Sequence, residues 1–353
     1  MDEKTSGYTM GATEPTVNQP VRRAYAVDLA EALTDIDTQL TSRTAADIRT
    51  VQTGWPVLDE MMGGGLHAGE LALLGGPPGV GKTVAALRWA RNMARDGHRA
   101  LFVCYEHDPT SLLVRLLALE AGEAGGDRTV GRTLLDALGR ADRGGFSLED
   151  TLRHTPAGLE ALNRIREYAR DLVLVRALGA HTTVDELQRL VASHTDRDRR
   201  TAVFIDYLQK IPLHPEPPLE SEKVTRTVEA LKDLALDHHV PVVVLSAVDR
   251  SGLEVSRLRM HHLRGSSAVS FESDIVLMLN DKHKAVSKVH LSYDDRAARS
   301  FREWVVFSVE KNRGGPSLID LEFRKDFAHF RFHEDGGLVS ERLVDERMDE
   351  FEL

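Results

Sequence analysis

The stretch that decides the fold is ELALLGGPPGVGKTVAALRWARNMARD, residues 70–96. Its first part, Glu70–Leu74, is a short apolar run of the kind buried on both faces of a parallel sheet. Its last part, Thr83–Asp96, predicts a helix. Between them lie Gly76, Pro77, Pro78, Gly79, Val80, Gly81, Lys82 and Thr83, a complete G-x-x-x-x-G-K-[ST] in its required strand-to-helix setting. Glycines let the backbone wrap closely around phosphates, and the loop N–H groups and helix N-terminus attract an anion. Lys82 would neutralise the β- and γ-phosphates, and Thr83 would offer a hydroxyl to Mg²⁺. The stretch therefore predicts a nucleotide site with Mg²⁺.

Outward from this loop the chain alternates strands and helices, the pattern of a parallel sheet with crossover helices. Strands are expected at Ala100–Tyr105, Leu172–Val175, Ala202–Asp206 and Val242–Leu245, then at Ile275–Leu279, Trp304–Val309 and Ile319–Phe323. Helices are expected at Thr110–Ala121, Thr183–Ser193 and Ser221–His239. The Gly- and Asp-rich residues 122–150 give only a short helical run at Thr133–Leu138. No repeat of 20–50 residues is visible, which excludes a solenoid or propeller. Strands of one parallel sheet deliver their C-terminal ends to one edge, where ligands bind. Asp206 ends the strand Thr201–Asp206 and is the candidate Mg²⁺ carboxylate beside Thr83. Glu106, after the next apolar strand, is the candidate group that polarises the attacking water. His107 reads as a solvated loop residue.

In order and wording these motifs resemble the motor domain of bacterial DnaB-type replicative helicases, hexameric RecA-like ATPases, over about residues 51–332. Residues 52–59 (QTGWPVLD), 63–66 (GGGL) and 69–71 (GEL) look like that family's lead-in to the phosphate loop, and 183–187 (TVDEL) matches a helix preceding its metal strand. Residues 205–209 (IDYLQ) are similar to its metal-strand signature, and 263–274 (LRGSSAVSFESD) to the segment after its sensor strand. Lys311-Asn312-Arg313-Gly314-Gly315-Pro316 resembles its K-x-R-x-G-P. The resemblance implies an α/β RecA-like P-loop NTPase fold, a mostly parallel central sheet flanked by helices. It also implies ATP as the nucleotide, and catalytic roles for Glu106, Lys82, Arg313 and Lys311, the last two reaching the γ-phosphate of an adjacent subunit. An isolated subunit should then hydrolyse ATP poorly.

The expected partners are further copies of the chain in a hexameric ring and single-stranded DNA. The loop Arg250–His262 supplies Arg250, Arg257 and Arg259 as candidate phosphate contacts for such a strand. Two departures from the family pattern stand out. Only about fifty residues precede the motor where the family has a helical collar, so primase coupling is not expected. The sensor strand reads Leu245-Ser246-Ala247 where the family has Ser-Gln, which puts coupling of hydrolysis to translocation in question. The sequence is also similar to RadA- and KaiC-like members of the RecA class. The second reading is accordingly a KaiC-like regulatory ATPase that controls assembly or partner binding without unwinding DNA.

Composition sets the frame. Of 353 residues, 42% are hydrophobic and 28% charged, an ordinary globular balance. The net charge is −10, and residues 341–353 account for less than half of it, with six acids against two arginines. A generally basic nucleic-acid or membrane binder is excluded, so any DNA contact must be a local basic channel. One cysteine, Cys104, allows neither an internal disulfide nor a multi-cysteine zinc site, and its neighbours predict a buried strand thiol. With no signal-like apolar segment and no span of eighteen apolar residues, a cytoplasmic protein with no membrane partner is expected. The expected organisation is a disordered tail at 1–24, a linker helix within 25–50 that could dock on a neighbouring subunit, the RecA-like motor at 51–335 and an acidic tail at 336–353.

Overall fold

The structure, a computed structural model, describes residues 26–41, 50–139, 147–195, 199–265, 269, 271–287, 290 and 295–344. The expected tail at 1–24 and residues 345–353 of the acidic tail lie outside these residues. The chain divides into two units, Met1–Arg43 and Thr44–Leu353. The first contains helix α1 (Leu29–Thr41), within the span where the sequence places the linker helix. Asp28 begins it, accepting a hydrogen bond from the Glu31 N–H at 2.8 Å. Leu29, Leu33, Ile36 and Leu40 of this helix are all exposed.

The second unit is built on one nine-stranded sheet, β1 (Leu71–Gly75), β2 (Arg99–Cys104), β3 (Leu172–Arg176), β4 (Thr201–Asp206), β5 (Val242–Ser246), β6 (Ile275–Asp281), β7 (Trp304–Asn312), β8 (Ile319–Asp326) and β9 (Arg331–Leu338). Their order across the sheet is β3-β2-β4-β5-β1-β6-β7-β8-β9. The pairings from β3 to β6 are parallel, and those of β7, β8 and β9 are antiparallel. The mostly parallel α/β sheet expected from the sequence is therefore present.

Strand period 2 sorts the core into two layers. Ala72, Leu74, Ala100, Phe102, Ala202, Phe204, Val243 and Leu245 point to one side. There they meet helices α2 (Pro56–Met61), α3 (Lys82–Arg95), α4 (Pro109–Glu123), α5 (Thr129–Leu138), α6 (Leu148–Leu152) and α7 (Gly158–Tyr168). Leu71, Leu73, Leu101, Val103, Val203, Ile205, Val242 and Val244 point to the other, against α8 (Val184–His194) and α9 (Glu220–His238). Both faces of the inner parallel strands are thus covered, which is why these runs read as continuously apolar rather than alternating, while the edge strand β3 is half-buried.

Three features were not foreseen. Helix α7 lies in a segment with no assignment, although its buried residues Ala161, Leu162, Ile165 and Tyr168 have helical spacing. Helix α2 begins at Pro56, and Asp59 ties the turn before it by accepting from the Thr53 and Gly54 N–H groups at 2.6 and 3.1 Å. Strand β9 extends the sheet beyond the expected edge and crosses the motor boundary set at 335. Leu338 pairs with Leu321, and Leu343 bridges to Val286, so the sheet framework continues into the residues assigned to the acidic tail. The burial pattern of β9 explains the omission, since Phe332 is its one fully buried residue.

Candidate active site

The phosphate loop leaves the end of β1 and enters α3. Gly76 and Gly81 have φ of +152° and +104°, conformations that side chains rarely adopt. Space forbids them as well. A Cβ on Gly81 would lie 2.5 Å from Phe332 Cζ and 2.9 Å from Phe327 Cζ, and one on Gly76 would lie 2.8 Å from the Leu279 carbonyl oxygen. The loop is therefore clamped between β6 and the turn that joins β8 to β9.

Lys82 folds back along the loop, donating to the carbonyls of Gly76 at 2.7 Å and Pro77 at 3.1 Å. Burial lowers its pKa, and the charges of Asp206 and Glu106 work against that shift. The Thr83 hydroxyl donates to Asp206 Oδ2 at 2.7 Å, joining the first turn of α3 to the end of β4. Asp206 is 2% exposed. Burial pushes its carboxyl above the ordinary aspartate range and Glu106 adds to this, against the Thr83 hydrogen bond, His107 and Lys82. A hydroxyl and a buried carboxylate in contact, at the mouth of an anion-binding loop, are the hard oxygen donors that Mg²⁺ takes. These two residues fit the ion.

A cleft of about 440 Å³ opens over the loop, with Lys82, Thr83, Glu106, Asp206, Arg115 and Phe330 among its walls. It brings together the loop residues, Glu106 and Asp206, as the sequence predicts. It does not bring in Lys311 or Arg313. Those lie at the opposite edge of the sheet, because antiparallel β7 runs back until Asn312 pairs with Ile275, the first residue of β6. There Arg313 donates to Asp274 Oδ1 at 3.1 Å and to the Phe271 carbonyl, and Lys311 donates to the Ser273 carbonyl. The Asp274 N–H in turn bonds the Leu71 carbonyl, at the start of β1. From there to the phosphate loop is the length of a five-residue strand, roughly 13 Å at about 3.3 Å per residue.

Several residues of the cleft were missed. Arg115, on α4, projects into it with Nη2 3.0 Å from His107 Nε2 and its guanidinium 5.5 Å from the Phe330 ring centre. His107 is therefore half-buried in the cleft wall, not a solvated loop residue as the sequence suggested. Phe327 and Phe330 come from the β8–β9 turn, more than 240 residues from the loop they cover. No local pattern in the sequence points to them. Gln209, just beyond β4, lies beside Ala247, the first residue after β5. Its Nε2 donates to Ser246 Oγ and its Oε1 accepts the Ala247 N–H, both at 3.1 Å.

The basic loop after β5 differs from its expectation. Arg257 is buried and donates to both carboxylate oxygens of Asp320 at 2.9 and 2.7 Å, and Arg259 Nε lies 3.0 Å from Glu310 Oε1. Both guanidiniums are engaged with carboxylates of the sheet, Arg257 almost fully buried and Arg259 partly exposed. Arg250 alone of the three is open, its side chain 94% exposed with Glu254 at 3.8 Å.

Comparison with known proteins gives a consistent placement. The sequence model of the DnaB-like helicase C terminal domain matches residues 50–136 and 149–332. The replicative DNA helicase DnaB of Treponema pallidum is 26% identical over 291 residues, and DnaC of Bacillus subtilis 27% over 297. These matches cover 82% and 80% of the chain, which spans 57% of the length of either relative. A DNA repair protein RadA of Campylobacter jejuni is 44% identical over a stretch of 64 residues only. Among solved structures, an isolated ATPase domain superposes with a TM-score of 0.67 at 21% identity, covering 87% of this chain and 99% of that one. A DnaB-like replicative helicase described with its interactions with primase gives 0.63 at 20% identity, covering 87% of this chain and 67% of that one. The matched residues take in the phosphate loop, the metal strand and the Lys311–Arg313 turn, and this chain belongs to the DnaB-like helicase C-terminal domain family.

Proposed function

We propose that this chain is an ATP-hydrolysing motor that works as a ring, each subunit binding ATP at its own phosphate loop and completing the site of its neighbour with Lys311 and Arg313. The observation that carries the reading is the split placement of the machinery. Lys82, Thr83, Asp206 and Glu106 share one sheet edge, while Lys311 and Arg313 occupy the other. One subunit cannot bring both sets to one nucleotide, whereas a head-to-tail ring does so at every interface.

In the proposed site the loop N–H groups and Lys82 hold the β- and γ-phosphates, and Phe327 and Phe330 give the nucleotide an apolar wall. Thr83 and Asp206 would hold Mg²⁺, which when bound neutralises charge on the phosphate oxygens. Glu106 orients the attacking water and takes its proton. Arg313 of the adjacent copy stabilises charge on the transferred phosphoryl group. The substrate strand, single-stranded DNA, would run past the Arg250 tip of the loop after β5. Helix α1, with its exposed leucines, would dock on a neighbouring subunit. A cytoplasmic location suits this role, and among the described residues no helix is long and apolar enough to cross a membrane. The solved relative described with primase weighs against the expectation that primase coupling is absent.

One observation favours the second reading, a RecA-like switch that uses ATP to control assembly or partner binding without unwinding DNA. Internal pairing of Arg257 and Arg259 leaves the loop with little free positive charge. The discriminating experiment is ATP turnover against added single-stranded DNA through a salt series. The motor predicts stimulation that fades as salt rises, and a flat response at every salt concentration contradicts it.

A further inference from the structure

The loop after β5 is fastened to β7, the strand that carries Lys311 and leads directly into Arg313, the two residues proposed as a finger for the neighbour's site. Its middle is clipped to three neighbouring strands in succession. Arg257 pairs with Asp320 of β8, and the Leu258 N–H and carbonyl bond the Asn280 side chain of β6 at 2.7 and 3.1 Å. Arg259 and the Met260 N–H both reach Glu310 of β7, at 3.0 and 3.2 Å.

Glu310 holds an unusual position. The β6–β7 register passes from Val276↔Lys311 directly to Leu277↔Val309, so Glu310 is the extra residue of a bulge and has no partner on β6. A bulge redirects a side chain and loosens the ladder locally. Here it directs a carboxylate, 6% exposed, at the loop, immediately before Lys311 and three residues before Arg313. The tip of the loop, by contrast, is open. Arg250, Ser251, Leu253 and Glu254 are exposed, and the tip's ties are a short 3₁₀ turn and the Asp249 side chain.

We propose that Glu310 is a positioning residue that couples the finger to the loop: when Lys311 and Arg313 engage the neighbour's nucleotide, the bulge carries the movement through Arg259 and Met260 to the Arg250–Glu254 tip. The tip then reads the nucleotide of the adjacent subunit rather than its own. Ala247 strengthens the case, because this first residue after β5, in the wall of the chain's own cleft, has no side chain able to bond a phosphate and pull on the loop. The inference rests on the proposed action of the finger across the subunit interface.

The test uses the full chain assembled as a ring and needs no DNA. Cys104 is the only cysteine and is buried, so Ser251→Cys places a single environment-sensitive dye at the tip. The dye signal is compared between ADP and a non-hydrolysable ATP analogue. The parent ring should respond. Glu310→Gln should cut the response about fivefold or more, within the usual range of coupling between sites, with basal ATP turnover held within about twofold. The double exchange Glu310→Arg with Arg259→Glu should restore it, which a general loss of folding could not do. A response that survives Glu310→Gln overturns the coupling, as does a parent ring that shows none. Loss of basal turnover in a folded Glu310→Gln ring also overturns it, by placing Glu310 in the chemistry itself. A response that survives Arg313→Ala instead overturns the finger reading underneath.

Discussion

The two edges of the parallel sheet carry cations in opposite circumstances. Where the strands end, neither Lys82 nor Arg115 is paired with a carboxylate among the described residues. Lys82 is held by loop carbonyls and Arg115 by a histidine nitrogen. Where the strands begin, Lys311 and Arg313 are oriented by the Ser273 and Phe271 carbonyls and by Asp274, itself fixed by Lys232 at 2.7 Å and by the Leu71 N–H at 2.8 Å. One edge gathers two cations held by neutral groups in a cleft that also contains Asp206 and Glu106, a mixed set suited to a phosphate with its metal ion. The other presents a braced, half-exposed arginine on a rigid turn. On the proposed reading, each subunit then holds two unlike halves of a site, a receiving half and a donating half.

Each half can be disabled on its own. The largest effect is expected from Arg313→Ala, which should lower turnover of the assembled ring by about a thousandfold, since a phosphoryl-transfer arginine contributes on that order. Steady-state ATPase assays at saturating nucleotide check it, and ADP affinity at the loop should remain. Lys82→Ala should cost roughly a hundredfold to a thousandfold in turnover, the usual loss for a preorganised charge-stabilising donor, and should also weaken nucleotide affinity in a fluorescent-nucleotide titration.

A third change isolates the scaffold behind the receiving edge. Arg88 and Arg91 of α3 are each 1% exposed, and Arg91 pairs with Glu123 of α4. Burial raises the Glu123 pKa, but Arg91, Arg88 and Arg95 together overcome it and leave the carboxyl below the ordinary glutamate value of 4.5. A depressed carboxylate contributes stability that is present above its unfolded pKa and is lost as pH falls through the folded one. Glu123→Gln should therefore destabilise the fold by about 3 kcal/mol at neutral pH. The difference from the parent should shrink below pH 4.5, measured by thermal melts across pH, with KM for ATP little changed. The smallest effect is expected from Gln209→Ala, about fivefold in turnover, because it removes two neutral hydrogen bonds of about 0.5 kcal/mol each, the low end of the usual range.

Much of this was legible in the sequence because it is written locally. The phosphate loop, the Asp206 strand and the Glu106 strand each carry motif, context and spacing within about a dozen residues, and the parallel strands announce themselves as uninterrupted apolar runs. What was illegible is tertiary. Phe327 and Phe330 reach the cleft only because a β8–β9 hairpin folds over Gly81. Arg115 is one arginine among many until α4 turns it toward Lys82's cleft. Arg257 and Arg259 read as free cations because the carboxylates that take them, Asp320 and Glu310, lie more than fifty residues away. Strand β9 escaped notice because its hydrophobic content is almost a single residue, Phe332.

If the two halves meet only between subunits, two inactive variants should complement each other when mixed. Lys82→Ala subunits keep the finger and lose the loop, while Arg313→Ala subunits keep the loop and lose the finger. Rings of either alone should be nearly inactive. Equal mixtures, dissociated and reassembled, should recover about one quarter of parental turnover, the fraction of head-to-tail interfaces that pair an intact loop with an intact finger in a random ring. A mixture that co-assembles, shown by exchange of labelled subunits, yet stays as inactive as its components would contradict the account.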